Sequence, residues 1–223
     1  MDYQWRFEAV WEFREVFLQG ALITVQLSLL AIVFAVLLGG ALGIVRALQV
    51  RVLSPAVVVY VELVRNTPLL VQIFWFFYCL PIVVGANIPA FWSAAITLSI
   101  HFSAYIAEIT RSGISSIDRG QWDAARMAGF SPLQTLRHVI LPQAIRRVIP
   151  PMVNCFADIV KLSSLASVIG VYDLLHSINN VIMQSFRPLE LYTMVAVVYF
   201  VIIYPLSLLA SRLERRMMRG AAQ

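Results

Sequence analysis

Asn154, Asp158, Lys161 and Ser164 are separated by four, three and three positions, so on a helix they share one face and make a polar stripe. The residues between them are mostly apolar. An ammonium flanked by the hydroxyls of Ser163 and Ser164 suits a carboxylate, because a charge-assisted hydrogen bond outweighs a neutral one. The same spacing also allows a plainer use, an Asp158–Lys161 ion pair that serves packing alone, and both readings stay open here. Glu62 and Arg65 stand three apart and pose the same choice between a satisfied pair and a polar lining. Glu108 and Arg111 repeat that spacing where an apolar run ends, which favours bracing over contact with a passing molecule.

Other chemistries find little support. An intramembrane transferase could use Asp158 and Glu108 as catalytic carboxylates, but no Asp-rich metal motif accompanies them. His101 and His138 have no neighbouring arrangement of the kind that binds a metal or moves a proton, so neither a catalytic nor a metal site is expected. A phosphate loop of the form G-x-x-x-x-G-K-S/T is lacking, so the chain cannot hydrolyse ATP alone. Cys79 and Cys155 both fall in apolar runs, where packing as small hydrophobic residues is the expected role and no disulfide is inferred.

The elements that carry these residues must be membrane helices. Of 223 residues, 60% are hydrophobic and 13% charged, which is the composition of a polytopic membrane chain. Residues 17–45 carry no charged side chain and exceed the length needed to cross a hydrocarbon core of roughly 30 Å. Between Asn66 and Ala107 there is again no Asp, Glu, Lys or Arg, enough for two spans that reverse at the Pro, Gly and Asn of residues 80–89. A fourth span fits about residues 149–170 and a fifth about 191–211, for five in all. The second span opens at Ser54, read as a helix N-cap, with Pro55 as the first helical residue. Asn66-Thr67-Pro68 then interrupts it, as is tolerated where a membrane helix lines a cavity. Gly39 and Gly43 in the first span have small-xxx-small spacing, which suits close packing either inside one subunit or between two.

The net charge of +5 matters by position and does not point to nucleic acid. Arg46 and Arg51 follow the first span, six Arg lie in residues 111–147, and Arg212, Arg215, Arg216 and Arg219 crowd the tail. The opening residues are acidic, with Asp2, Glu8, Glu12 and Glu15 against Arg6 and Arg14, and the 172–190 loop is nearly neutral. Basic loops stay cytoplasmic, so five spans put the N-terminus outside and the C-terminus inside. The acidic start argues against a cleaved signal peptide, so the first span is expected to persist. Trp5, Phe7, Trp11 and Phe13 suggest an interfacial segment along the outer face. Residues 121–128 form a short helix stopped by Gly129, and Ser131-Pro132 caps a second one that Pro142 ends. After the fourth span, Val171, Leu174, Leu175, Ile178, Val181 and Ile182 recur at helical spacing, with Asp173, His176, Asn179 and Asn180 opposite. That pattern is an amphipathic helix in the outer interface.

Gly120-Gln121-Trp122-Asp123-Ala124-Ala125-Arg-Met-Ala-Gly129, nine residues, then Val139-Ile140-Leu141-Pro142 resembles the E-A-A loop of bacterial ABC importer permeases. Asp123 stands for the usual Glu and Val139 for the usual Ile, both conservative. Glu62-Leu-Val-Arg65-Asn66-Thr67-Pro68-Leu-Leu-Val-Gln72 is similar to the R-G-T-P-L-L-V-Q segment of the polar amino-acid branch, with Asn66 in place of Gly. Ala104-Tyr105-Ile-Ala-Glu108-Ile-Thr-Arg111-Ser-Gly113-Ile and Lys161-Leu-Ser163-Ser164-Leu resemble two further segments of that branch.

The resemblance implies an all-α, polytopic fold of about five transmembrane helices with a cytoplasmic helix-turn-helix hairpin, one domain over residues 1–223 with its coupling loop at 111–147. It assigns Asp123, Ala124, Ala125, Gly129, Leu141 and Pro142 to ATPase coupling, the small Ala residues admitting a groove of the partner. It assigns Arg65, Thr67, Gln72, Asp158, Lys161, Ser163 and Ser164 to a substrate pathway. The implied partners are two ATP-binding subunits that use ATP and Mg, a second permease subunit, an extracytoplasmic amino-acid-binding protein and membrane lipid; the chain itself needs no cofactor and is not an enzyme. Leu162 beside Lys161 leaves no spare carboxylate for a cationic side chain, which favours glutamine or glutamate over basic amino acids or opines.

Overall fold

The structure, a computed structural model, describes Trp5 and residues 8–220, without side chains at 9, 10 and 216–220. Asp2, Arg6 and Phe7, and the side chains of Arg216 and Arg219, lie outside the described residues. All regular elements among the described residues are helical: α1 (Glu8–Glu12), α2 (Arg14–Ala47), α3 (Leu53–Arg65), α4 (Leu69–Phe74), α5 (Leu80–Val84), α6 (Ala90–Ser115), α7 (Arg119–Met127), α8 (Pro132–Gln134), α9 (Leu141–Leu162), α10 (Leu174–Ser185) and α11 (Pro188–Gly220). A π-helical turn, Trp75–Cys79, joins α4 to α5, another, Thr135–Ile140, joins α8 to α9, and a 3-10 segment, Ser163–Ile169, follows α9.

Four stretches are long and apolar enough to cross a membrane, namely Arg14–Ala47, Ala90–Ser115, Pro132–Ile169 and Pro188–Arg215. The pair Leu53–Arg65 and Leu69–Val84, bent by 100° at the break around Asn66–Pro68, makes a fifth when it is counted as one broken span. Four to five spans among the described residues agree with the expected all-helical fold of about five. The break is local: Pro68 offers no donor, Thr67 Oγ1 donates back to Leu63 O at 2.8 Å and Asn66 Nδ2 donates to Glu62 O at 2.8 Å.

Three local expectations need correction. Helix α3 begins at Leu53 after Val52, which has helical dihedrals and makes no side-chain cap, so Ser54 lies inside the helix and is not its N-cap. The helix that opens at Pro132 does not end at Pro142. The N–H of Leu141 reaches back five residues to Leu136 O, and this wide turn accommodates the proline ring one position later. Gln143 Nε2 also donates to Val139 O at 2.9 Å, and α9 continues to Leu162. Asp173 does not lie on the polar face of α10. It is fully buried as the N-cap, its side chain accepting the His176 N–H at 2.9 Å.

The chain forms two compact units. The first comprises Met1–Ile32, Pro68–Ser99 and Ala157–Pro205. Its apolar cluster joins Phe17 of α2, Leu174, Ile178 and Val181 of α10, and Leu191 and Val195 of α11. A Cβ at Gly20 would sit 2.8 Å from Leu174 Cα, so glycine is required for α10 to approach α2. Thr24 Oγ1 then accepts the Leu174 N–H at 3.1 Å. The inward side of α10 is Leu174, Ile178 and Val181, as its amphipathic pattern predicts.

The second unit comprises Val33–Thr67, Ile100–Phe156 and Leu206–Gln223. Here Gly39 and Gly43 settle the choice left open by their spacing. A Cβ at Gly39 would collide with Ser103 O and Ile106, and one at Gly43 with Ala107 O and Thr110, so both glycines serve packing of α2 on α6 within this chain. Helix α3 packs Val57, Val61 and Val64 against Ala104 and Ala107 of α6. Tyr60 adds a hydrogen bond to Ile100 O at 3.0 Å and another shared with Ser103 Oγ at 2.6 Å.

Candidate functional site

The second unit presents the hairpin. Asp118 caps α7 by accepting the Gly120 N–H at 2.7 Å. Gly129 has φ +79°, the left-handed conformation that ends α7 sharply and that glycine adopts without strain. Ser131 and Gln134 form a capping box, Ser131 Oγ accepting the Gln134 N–H and Gln134 Oε1 the Ser131 N–H at 2.9 Å. The hairpin is anchored by Ile114, Ile117, Leu136, Ile140 and Ala144, with Trp122 and Ile44 packed on that cluster.

Ala125 is buried in this packing, so it faces the chain's own core and not an external groove. The surface on offer is Asp123, Ala124 and Ala128 together with Met127, which is 90% exposed, Phe130 and Leu133. Pro142 is exposed and Leu141 half-buried. The Asp123 carboxylate and several large exposed apolar side chains on a capped hairpin make a surface suited to a protein partner.

The first unit presents the polar stripe. Lys161 Nζ lies 3.1 Å from Asp158 Oδ1, and the two side chains are 53% and 55% exposed. Ser164 donates to Lys161 O at 2.7 Å. Ser163 is turned inward and fully buried, donating to Val160 O at 2.9 Å and accepting from Ser28 at 3.3 Å. A carboxylate approaching from outside would therefore meet Lys161 and not Ser163. Gln72 is buried, whereas Thr67 is half-buried. Asn154, in the second unit, is held by α11, its Nδ2 donating to Glu214 Oε1 at 3.1 Å.

Arg65 and Glu62 do not act as a pair. Arg65 lies over the Tyr105 ring, 5.2 Å from its centroid, while Glu62 accepts from Asn66 at 3.0 Å. His101 packs between Phe102 and Tyr105, with 5.2 Å between ring centroids in each case, in keeping with its expected packing role. Cys155 is buried and Cys79 is exposed.

Two features escape a reading of spacing alone. Arg46, at the end of α2, binds Glu108 Oε2, while Arg111 binds Glu108 Oε1, so Glu108 bridges two helices. Arg46 is 62 positions away from Glu108, and its only sequence signal is that both stand at the same end of an apolar run. Asp173 is the other: burial pushes its carboxyl up to about 7. Its Oδ2 has no hydrogen-bond partner among the described residues.

Comparison with known proteins agrees with this arrangement. Residues 35–219 match the family model described as binding-protein-dependent transport system inner membrane component. The glutamine transport system permease protein GlnP of Escherichia coli is 36% identical over 97% of this chain and 99% of its own length. The probable glutamine ABC transporter permease protein GlnP of Bacillus subtilis is 41% identical over 88% of this chain and 91% of its own. Among solved structures, an amino acid ABC transporter crystallised with histidines superposes with a TM-score of 0.87 at 35% identity, covering 96% of this chain and 100% of that one. The fold, the hairpin and the extent of these matches make the chain a member of the family of binding-protein-dependent transport system inner membrane components.

Proposed function

We propose that the chain is the membrane permease of an ATP-binding-cassette importer that carries glutamine or a similarly polar, uncharged or acidic amino acid into the cytoplasm. The observation that carries the substrate class is the Asp158–Lys161 pair on an exposed face of a membrane helix. An intramembrane charge costs about 2.5 to 3.5 kcal/mol in lipid, so that face belongs against protein or water. Lys161 engages Asp158 Oδ1, which leaves the ammonium's remaining donors for a carboxylate and offsets the one acid of the stripe against a cationic side chain. Two relatives named for glutamine transport support the same class. The solved transporter with histidines keeps a basic amino acid as the second reading.

In this reading the hairpin over residues 111–147 docks one of two ATP-binding subunits, which supply ATP and Mg chemistry. Asp123, Ala124, Gly129, Leu141 and Pro142 form or shape the docking surface, while Ala125 fixes the hairpin to its base. A second permease subunit lies opposite the Asp158–Lys161 face across the route, and an extracytoplasmic binding protein delivers substrate. The Arg-rich hairpin and tail support an orientation with the C-terminus in the cytoplasm and the N-terminus outside. Proteoliposomes containing the chain with its ATPase and binding protein should accumulate labelled glutamine only when ATP is supplied. Uptake confined to arginine, lysine or histidine would select the second reading, and no ATP-dependent uptake of any amino acid would reject both.

A further inference from the structure

The hairpin is useful to a transporter only if its displacement reaches the helices that line the path, and the second unit contains a specific joint for that. Three glycines set the joint's geometry. Gly39 and Gly43 let α2 lie directly on α6, and a Cβ at Gly113 of α6 would collide with Val148 of α9. Such smooth contacts bring backbones close but resist sliding poorly, because they contain few interlocking side chains or directional bonds. At the hairpin end of the α2–α6 contact the missing directionality is supplied by one carboxylate. Glu108 offers Oε2 to Arg46 of α2 and Oε1 to Arg111 of its own helix. The group is partly shielded, with side-chain exposures of 18% for Arg46, 26% for Glu108 and 32% for Arg111, so water screens it less than a surface pair.

Helix α6 is also the hub of the unit. It carries α3 through Tyr60, through the valine face and through Arg65 on Tyr105, and α3 ends at the Asn66–Thr67 interruption. It carries the hairpin through Ile114, Ile117, Leu136 and Ile140.

We propose that Glu108 is a coupling residue: by locking Arg46 of α2 to α6 it makes the two helices one rigid lever, so that a hairpin stroke moves α3 and its interrupted end instead of being lost as sliding of α2 along α6. This inference rests on the permease reading above. It assigns unequal roles to the two arginines. The Arg46 arm crosses between helices and transmits force; the Arg111 arm stays within one helix and orients the carboxylate.

The test compares Arg46→Gln, Arg111→Gln, Glu108→Gln and the Arg46→Gln/Glu108→Gln double variant in the assembled transporter. The readout is substrate moved per ATP hydrolysed, alongside the amount of assembled complex. Arg46→Gln and Glu108→Gln should each lower that ratio on the order of tenfold, with assembly and basal ATP hydrolysis within about twofold of the parent. The double variant should be no worse than either single one, because one joint is lost in all three. Arg111→Gln should lower the ratio far less. Equal losses for Arg46→Gln and Arg111→Gln, additive losses in the double variant, or an unchanged ratio in Arg46→Gln would each overturn the proposal. A parent that moves no amino acid would instead count against the permease reading. The joint is then judged by amide exchange of the chain alone in nanodiscs. Arg46→Gln should speed exchange at the C-terminal turns of α2 by about tenfold and Arg111→Gln should not, and equal exchange in both overturns the joint.

Discussion

Two acid–base pairs of identical spacing sit on two membrane helices of this chain and have opposite surroundings. On α6, Glu108 and Arg111 are three apart, partly shielded, and joined by Arg46 from a second helix. On α9, Asp158 and Lys161 are three apart and more than half exposed, with no charge from a second helix joining the pair among the described residues. The first pair is completed by its own chain. The second is left with ionic surface where lipid would be costly, so its completion comes from outside the chain, by a neighbouring subunit, water or cargo. An i,i+3 pair is therefore no guide to its own role; the helix behind it decides.

The largest expected effect comes from truncating the shielded carboxylate. Glu108→Ala, which unlike Glu108→Gln leaves neither an anion nor any hydrogen-bond acceptor between two arginines, should destabilise the chain by about 3 kcal/mol, whereas Asp158→Ala should cost about 0.5 kcal/mol, both read from thermal unfolding in detergent. Equal losses would erase the comparison. A second contrast tests the packing beneath the first pair. Gly39→Val should cost about 2 kcal/mol because its Cβ meets Ser103 O and Ile106, while Gly40→Val, whose Cβ meets nothing within 4 Å, should be nearly neutral.

Lys161→Met should leave stability and membrane insertion unchanged but lower glutamine uptake roughly tenfold, the worth of one charge-assisted hydrogen bond of about 1.5 kcal/mol. Unchanged uptake would show that the exposed pair never meets a carboxylate. The smallest effect concerns a third acid, Asp173, which is neither paired nor exposed. Its folded-state pKa is raised to about 7, so the folded chain holds the proton that the unfolded chain has already released. Stability should therefore decline as pH climbs from the ordinary Asp range to about 7, then level off. Asp173→Asn keeps an N-capping side chain and should flatten that decline. A decline of the same size in Asp173→Asn would assign the pH dependence to another group.

Much of this was legible from the sequence because it depends on local rules. Gly129 and Ser131-Pro132 specify the hairpin through left-handed backbone and capping, and both appear as expected, whereas of the apolar face expected from Leu133, Leu136 and Ile140 only Leu136 and Ile140 are buried and Leu133 is 72% exposed. The Asn66-Thr67-Pro68 break likewise follows from a missing donor. What was not legible depends on contacts between distant segments. Asp173 follows the polar period of α10, but Gly20 and Thr24 of α2 draw its N-terminal turn inward and bury it. Ser163 stands two residues after Lys161 and so on the opposite side of the helix, where the contact that buries it comes from Ser28 of the distant α2. Pro142 reads as a terminator, but a preceding π-turn absorbs it. The Arg46–Glu108 joint needs the fold to bring α2 and α6 together.

The central claim, that the α9 pair faces an aqueous route while the α6 pair is partly shielded and completed by Arg46, is tested most directly by thiol labelling of the assembled transporter. With Cys79 and Cys155 replaced by Ser, single cysteines at positions 158 and 108 are treated with a charged methanethiosulfonate reagent during turnover. The account predicts that Asp158→Cys reacts, that labelling blocks uptake and that saturating glutamine slows the reaction, while Glu108→Cys, at the less exposed position, reacts several-fold more slowly and without protection by glutamine. An unreactive cysteine at 158, or one at 108 that reacts as fast, would contradict it.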